Sequence, residues 1–319
     1  MTRPIRIGII GAGMTGLACA RKLADAGHEP LLLDKGRGIG GRLATRRAEN
    51  DLQFDHGAQY ITAKTDGFQR LLAELTANCA ASEWHMGDRT GVVGTPSMNA
   101  LAKALADGLT IRRQTQVTSV METGSTWSVS TGDGTLEFDR LIITAPAPQT
   151  MALLGNDHPL SKQIAHVSLL PCWTLMVAFD KAPALAATYH DPDAPLAWIA
   201  QESTKPGRAN KNTFVAQASP YWSQIHLELD KPAATDLMLT ELCKVWASIG
   251  PMWSTPMRTA GATPKSTPLW ARLSLPTRRR PCSWAVTGAS APAWKRHGKA
   301  EPALQRSCWS KCEAVGLRQ

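Results

Sequence analysis

A short apolar run from Ile5 to Ile10 leads straight into Gly11-Ala12-Gly13-Met14-Thr15-Gly16, and Asp34 stands 23 residues beyond Gly11. That spacing predicts a strand, a glycine turn, a helix and a second strand closed by a carboxylate. This is the opening unit of a Rossmann-type α/β domain. Gly11 permits the tight turn out of the strand, and Gly13 removes the Cβ that would obstruct a pyrophosphate. Gly16 lets the helix pack close to the sheet. The start of that helix offers unpaired N–H groups and the positive end of its dipole to phosphates. Gly11, Gly13, Thr15 and Gly16 are therefore the expected pyrophosphate contacts, and Asp34 is the expected acceptor for a ribose diol.

Lys35-Gly36-Arg37-Gly38-Ile39-Gly40-Gly41-Arg42 follows Asp34 directly. A domain serving NAD alone has no need of a second glycine loop at that point. A loop that starts at Lys35 and carries Gly41 and Arg42 can lie along the cofactor and bring a guanidinium to a pyrophosphate or flavin edge. Here the sequence resembles the two-dinucleotide-binding flavoproteins, the amine-oxidase-like group. Thr15, together with Asp55-His56-Gly57-Ala58-Gln59-Tyr60-Ile61-Thr62, narrows the resemblance to the renalase-like FAD-dependent NAD(P)/FAD oxidoreductases. It runs on through Gly94-Thr95-Pro96-Ser97-Met98, Val117 to Pro146, and Gln217 to Ser223 with His226-Leu227-Glu228, covering roughly residues 3–255. The resemblance implies non-covalent FAD, with Gly57, Ala58 and Gln59 near the flavin and the backbone of Val117 beside the adenine. Read from the residues alone, Val117 fits an ordinary strand valine equally well.

The expected fold class is α/β, a Rossmann-type FAD-binding domain with a second, mixed-sheet substrate domain. Residues 1–72 and 96–150 are assigned to the first, and 73–95 and 151–256 to the second. Phe68, Leu71, Leu72 and Leu75 share one face of a helix expected over Gly67 to Cys79. A second helix is expected from Pro96-Ser97 through Leu105, ahead of a strand at Thr110–Arg112. Val117–Met121, Thr126–Ser130 and Leu136–Phe138 predict an antiparallel meander, and Leu141–Thr144 a buried parallel strand. Beyond residue 150, strands at Trp173–Phe179, Leu196–Gln201 and Thr213–Ala218 precede a helix around Ala233–Ile249. Trp173, Trp198, Tyr221 and Trp222 could flank a flat ring there. His56 and His226 are read as structural histidines rather than acid–base groups.

The formal charge of +9 invites a nucleic-acid or membrane reading until its location is considered. Residues 1–256 hold 23 Lys+Arg against 24 Asp+Glu, whereas residues 257–319 hold 12 against 2. That tail contains no Ile, Phe, Tyr, Asp or Asn and shows no apolar period. A renalase-like protein is expected to end with a His-Arg-Trp-Arg-Tyr stretch and a Gly-Asp-Trp-Cys segment that completes the flavin site, and neither is written here. Codons allowed for Pro256–Thr263, each begun one base earlier, can encode the first. The same shift over Val286–Ala289 permits Asp-Trp-Cys. Residues 257–319 are therefore read as an out-of-frame, disordered tail, and the charge as no sign of a nucleic-acid partner. Cys308 and Cys312 lack the further ligands of a zinc site, so no metal is expected.

No run of 18 apolar residues occurs and no secretory segment precedes the first strand, so neither export nor membrane spanning is expected. Cys19, Cys79, Cys172 and Cys243 are scattered, as suits a reducing cytoplasm. The resemblance implies hydride transfer from isomeric or misreduced dihydronicotinamide dinucleotides to FAD, with molecular oxygen as the terminal acceptor. An amine substrate is the alternative, and a non-catalytic remnant lacking its flavin-closing segment is another. No catalytic residue stands out.

Overall fold

The computed structural model describes residues 3–48, 51–179, 187–249 and 271–273. The expectations for the tail fall outside these residues, apart from a short strand at 271–273. In chain order the elements are β1 (Ile7–Ile10), α1 (Met14–Asp25), β2 (Leu31–Leu33), β3 (Arg46–Arg47), β4 (Gln53–Phe54) and α2 (Asp66–Ala77). The hairpin β5 (Ala81–Met86) and β6 (Arg89–Gly94) follows, then α3 (Asn99–Ala106), β7 (Thr110–Arg112), β8 (Val117–Thr123), β9 (Thr126–Thr131), β10 (Gly134–Phe138) and β11 (Arg140–Ile143). The remainder comprises α4 (Ala147–Leu154), α5 (Pro159–Ile164), β12 (Thr174–Ala178), β13 (Thr188–His190), β14 (Leu196–Gln201), β15 (Thr213–Ala218), α6 (Pro220–Ile225), α7 (Lys231–Ile249) and β16 (Ala271–Leu273).

These elements form two units. The first takes residues 3–43 and 102–168, and the second takes residues 44–101 together with 169–249 and 271–273. By this division residues 44–72 and 96–101, assigned from sequence to the first domain, group with the second unit, and 151–168, assigned to the second, group with the first.

In the first unit, β11, β1, β2 and β7 make a parallel sheet in that order. Ile7, Ile9 and Ile10 of β1 are all buried, as expected for a central parallel strand covered on both faces. Strand β11 was expected to be buried but is half-exposed, because it forms the sheet's edge. The meander β8–β9–β10 is antiparallel. Its Val117, Val129 and Phe138 join Ile10 and Leu33 in one core cluster. A Cβ at Gly8 would lie 2.8 Å from the Phe138 ring, so this glycine is a packing requirement.

In the second unit the sheet runs β13-β14-β15-β12-β16, and every described pairing is antiparallel. The sequence reading expected a mixed sheet; each described pair here is antiparallel, with β13–β14 and β14–β15 joined without an intervening α-helix. Alternation along the strands divides the sheet into two faces. Leu175, Val177, Phe214 and Ala216 meet Ala234, Met238, Leu242 and Trp246 of α7, a stripe at four-residue spacing. Met176 and Val215 face Leu52 and Phe54 on the opposite side. Cys19, Cys79, Cys172 and Cys243 are free thiols. Among the described residues no helix is long and apolar enough to cross a membrane.

Candidate functional site

In the first unit the two glycine loops are tied together. Gly11 adopts φ +105°, in the region open to glycine, and its N–H donates to Leu33 O at 2.8 Å. Gly40 N donates to Ala12 O at 2.8 Å, and Gly13 forms a parallel bridge with Gly40. Gly16 is buried, and a Cβ there would lie 1.9 Å from Gly11 O, so helix and turn require it. Gly13 is different. Its backbone is extended (φ −78°, ψ −177°), and a Cβ there would meet nothing within 4 Å.

Helix α1 starts at Gly13 with no side-chain cap and no acid in its first turn. Its leading N–H groups and dipole therefore face the open space above Gly13, with half-buried Thr15 in the same turn. That is the arrangement a diphosphate requires. Asp34 Oδ2 accepts from Ala12 N and Oδ1 from Gly36 N, each at 2.7 Å, so the carboxylate braces both loops. Each oxygen retains a further acceptor site for a ribose hydroxyl. Lys35 is exposed and its ammonium reaches Gln149 Oε1 at 3.3 Å. Gly41 and Arg42 lie exposed in a short 3₁₀ turn, where a Cβ on Gly41 would approach Gly13 Cα at 3.4 Å. The Val117 side chain is buried in the core cluster.

In the second unit, Gly57, Ala58 and Gln59 follow β4. Gln59 is buried, and its Nε2 donates to the carbonyls of Asp55 and Gly57 (3.2 Å to the latter). Gln217 Nε2 also donates to Gly57 O at 2.8 Å. A trans peptide is planar, with its N–H opposite its C=O. Holding the Gly57 carbonyl inward therefore directs the Ala58 N–H outward, and no acceptor among the described residues takes that N–H.

Beneath this backbone lies a buried charge cluster that the sequence reading missed. Asp55 Oδ1 accepts from Thr45 Oγ1 at 2.6 Å and from Met98 N at 3.0 Å. Its Oδ2 meets Arg208 Nη2 at 2.6 Å and Lys205 Nζ at 3.5 Å. Glu202 Oε1 lies 2.6 Å from Lys205 Nζ, while Oε2 accepts from Asp55 N at 3.0 Å. All four charged side chains are at most 1% exposed. The available signal was the three-residue spacing of Glu202, Lys205 and Arg208 after a predicted strand, unremarkable without knowing that it folds over Asp55.

Burial pushes the Glu202 carboxyl up to about 7, against the pull of Lys205 and with the help of Asp55. Burial would also raise Asp55, but Lys205, Arg208 and the Thr45 hydroxyl bring it down to about 2. A raised carboxyl pKa stabilises the fold fully below the unfolded value of 4.5, and that contribution is lost as pH rises through about 7. Asp55 acts in the other direction: its contribution is present above 3.8 and lost only as pH falls toward 2. Glu202→Gln is therefore expected to remove a stability loss between about pH 4.5 and 7. Denaturant melts of both proteins across that range check it; identical pH profiles would refute it.

His56 is held below the ordinary histidine value by burial and by the charge of Arg46. Its Nδ1 is buried with no partner among the described residues. His226 stacks on Trp222 with centroids 4.1 Å apart, and its Nδ1 donates to Trp222 O at 2.8 Å, a structural arrangement. Of the four aromatic candidates, Trp173 is buried and bonded to His226 O, Trp222 is buried, and Tyr221 is 75% exposed. Trp198 pairs across the sheet with both His190 and Gln217. Its ring lies 5.5 Å from Tyr60 and 5.9 Å from His190. The Trp198 indole N–H is buried with no acceptor among the described residues.

Two families match this chain. Residues 9–75 match the family described as NAD(P)-binding Rossmann-like domain, and residues 75–263, more than half of the chain, match Flavin containing amine oxidoreductase. The chain is 37% identical over 76 residues to the Arabidopsis thaliana 15-cis-phytoene desaturase, and 34% over 71 residues to that of Synechococcus elongatus. These segments are 24% and 22% of this chain but only 13% and 15% of the desaturases' own length. Among solved structures it is similar to putrescine oxidase bound to putrescine (TM-score 0.56, 13% identity, 81% of this chain and 84% of that one). It is also similar to a fatty acid isomerase from P. acnes (TM-score 0.54, 11% identity, 68% and 77%). At such identities the likeness is one of fold, and these two neighbours carry different chemistry on it.

Proposed function

The chain belongs to the flavin containing amine oxidoreductases, and from that membership we propose a renalase-like, FAD-dependent oxidase of isomeric or misreduced dihydronicotinamide dinucleotides, using molecular oxygen. The observation that carries the reading is the aromatic group of Tyr60, Trp198 and His190 beside Gln217. It lies in a unit whose buried carboxylates, Asp55 and Glu202, are already committed to Lys205 and Arg208. Flat rings suit a nicotinamide face. A dihydropyridine expels hydride with its own ring-nitrogen lone pair, so the protein must hold and orient the ring and need supply no base.

The chain's own residues then divide the binding work. The α1 N-terminus and open Gly13 receive the diphosphate, Asp34 the ribose, and Arg42 and Lys35 add positive charge along the same loop. In the second unit, taken by itself, the outward Ala58 N–H is a donor that would suit a flavin ring. When bound, FAD would supply the redox chemistry, a two-electron route from substrate to oxygen. Dihydronicotinamide, dioxygen and one proton give oxidised nicotinamide and hydrogen peroxide. The free cysteines support a reducing cytoplasmic setting.

The family's name favours an amine donor as the second reading. Both readings, and that of an inactive remnant, are separated by expressing the 319-residue chain beside a version with its frame restored after Thr255. We expect the restored protein to hold more FAD per chain. Stopped-flow measurement should find its flavin bleached about 100-fold faster by isomeric dihydronicotinamides than by monoamines. Faster bleaching by an amine would favour the second reading. Equal stoichiometric FAD in both versions would overturn the out-of-frame account of the tail.

A further inference from the structure

We infer that Lys205 is a positioning residue for the backbone of residues 57–59, acting through the Gln59 side-chain amide. The inference rests on the reading that this backbone faces the flavin. Lys205 Nζ lies 2.6 Å from Glu202 Oε1, 3.2 Å from Gln59 Oε1 and 3.5 Å from Asp55 Oδ2. An ammonium has three donors and no acceptor, so these three oxygens account for its capacity. The end of the Gln59 amide that faces it must be the oxygen.

That orientation leaves Nε2 to donate to the Asp55 and Gly57 carbonyls. With the amide reversed, its oxygen would face two carbonyl oxygens and its N–H groups would face the ammonium. Lys205 therefore selects one orientation of Gln59, and Gln59 in turn fixes the plane of the Gly57–Ala58 peptide. Glu202 holds the same stretch two residues before Gly57 by accepting from Asp55 N at 3.0 Å. The Trp84 ring, its centroid 5.3 Å from Nζ, covers the ammonium on a further side. A buried ion pair is weak evidence for stability in itself. What this one adds is a directed hydrogen-bond chain, from a residue after β14 to the outward N–H of Ala58.

Removing Lys205 alone would leave buried charge, so the test uses Lys205→Met with Glu202→Gln, which keeps the cluster neutral. Amide hydrogen exchange on the full chain without added cofactor provides the first readout. Peptides covering residues 55–60 should exchange about 10-fold faster in the double variant, with α7 unchanged. Gln59→Leu should produce the same increase, and combining all three changes should add nothing, because the effects share one path. Unchanged exchange, or increments that add in full, would overturn the proposal. FAD titration of Ala58→Pro, which removes the outward N–H and spares the cluster, separates this claim from the reading beneath it. If Ala58→Pro weakens FAD binding about 10-fold and Lys205→Met/Glu202→Gln does not, the role of Lys205 fails while the flavin-facing reading stands. If Ala58→Pro binds FAD as tightly as the parent chain, the flavin-facing reading itself fails.

Discussion

Well above pH 7, where Glu202 is charged, Lys205→Met is expected to lower the unfolding free energy by about 3–5 kcal/mol. The reason is desolvated charge. With Lys205 gone, Glu202 loses its partner at 2.6 Å and Asp55 retains only Arg208 among its ionic contacts, in a cluster at most 1% exposed. Adding Glu202→Gln should recover most of the loss, because an amide can still accept from Asp55 N without carrying charge. Removing a charge with its partner costs far less than removing one alone. Urea unfolding of the parent chain and the two variants provides the measurement. A single variant within about 1 kcal/mol of the parent would show that Glu202 is readily neutralised or reached by water.

Gly13→Val is expected to leave the fold intact and weaken FAD binding by about 100-fold or more. Gly16→Val should damage the fold itself. The two glycines share one motif but differ in surroundings. A Cβ at Gly16 would meet Gly11 O at 1.9 Å, whereas one at Gly13 meets nothing within 4 Å on an extended backbone that any residue adopts. The space over Gly13 is thus closed only by what binds there. Circular dichroism and FAD titration together check the pair. A well-folded Gly13→Val protein with unchanged FAD affinity would show that the diphosphate lies elsewhere.

The opening βαβ unit was legible because its chemistry is local. Gly11, Gly13, Gly16 and Asp34 are set by spacing along a short stretch, and the structure places them about one turn and one helix end. The meander from Val117 to Phe138 was legible for the same reason, with turns at Gly124 and Gly132-Asp133. The β5–β6 hairpin was not anticipated. Its turn at Gly87-Asp88 separates two strands in which polar and apolar residues alternate only loosely. The charge cluster was hidden for a different reason. Asp55 and Lys205 lie 150 residues apart, and an exposed lysine reads the same in sequence as one with no solvent contact. Gln59 was read as a residue near the flavin, yet its side chain points into that cluster, and it is the backbone it secures that remains available.

The bracing role of Asp34 bears on how a cofactor would be received. Because its carboxylate already joins Ala12 N–H to Gly36 N–H, the two glycine loops hold their relative placement before any ribose arrives. Preorganisation of this kind spares the conformational entropy that ordering two glycine-rich loops would otherwise subtract from affinity. An incoming ribose would share the oxygens of a rigid bracket rather than recruit a free side chain. A nucleoside received there would meet a fixed template, and induced closure would contribute little to its affinity.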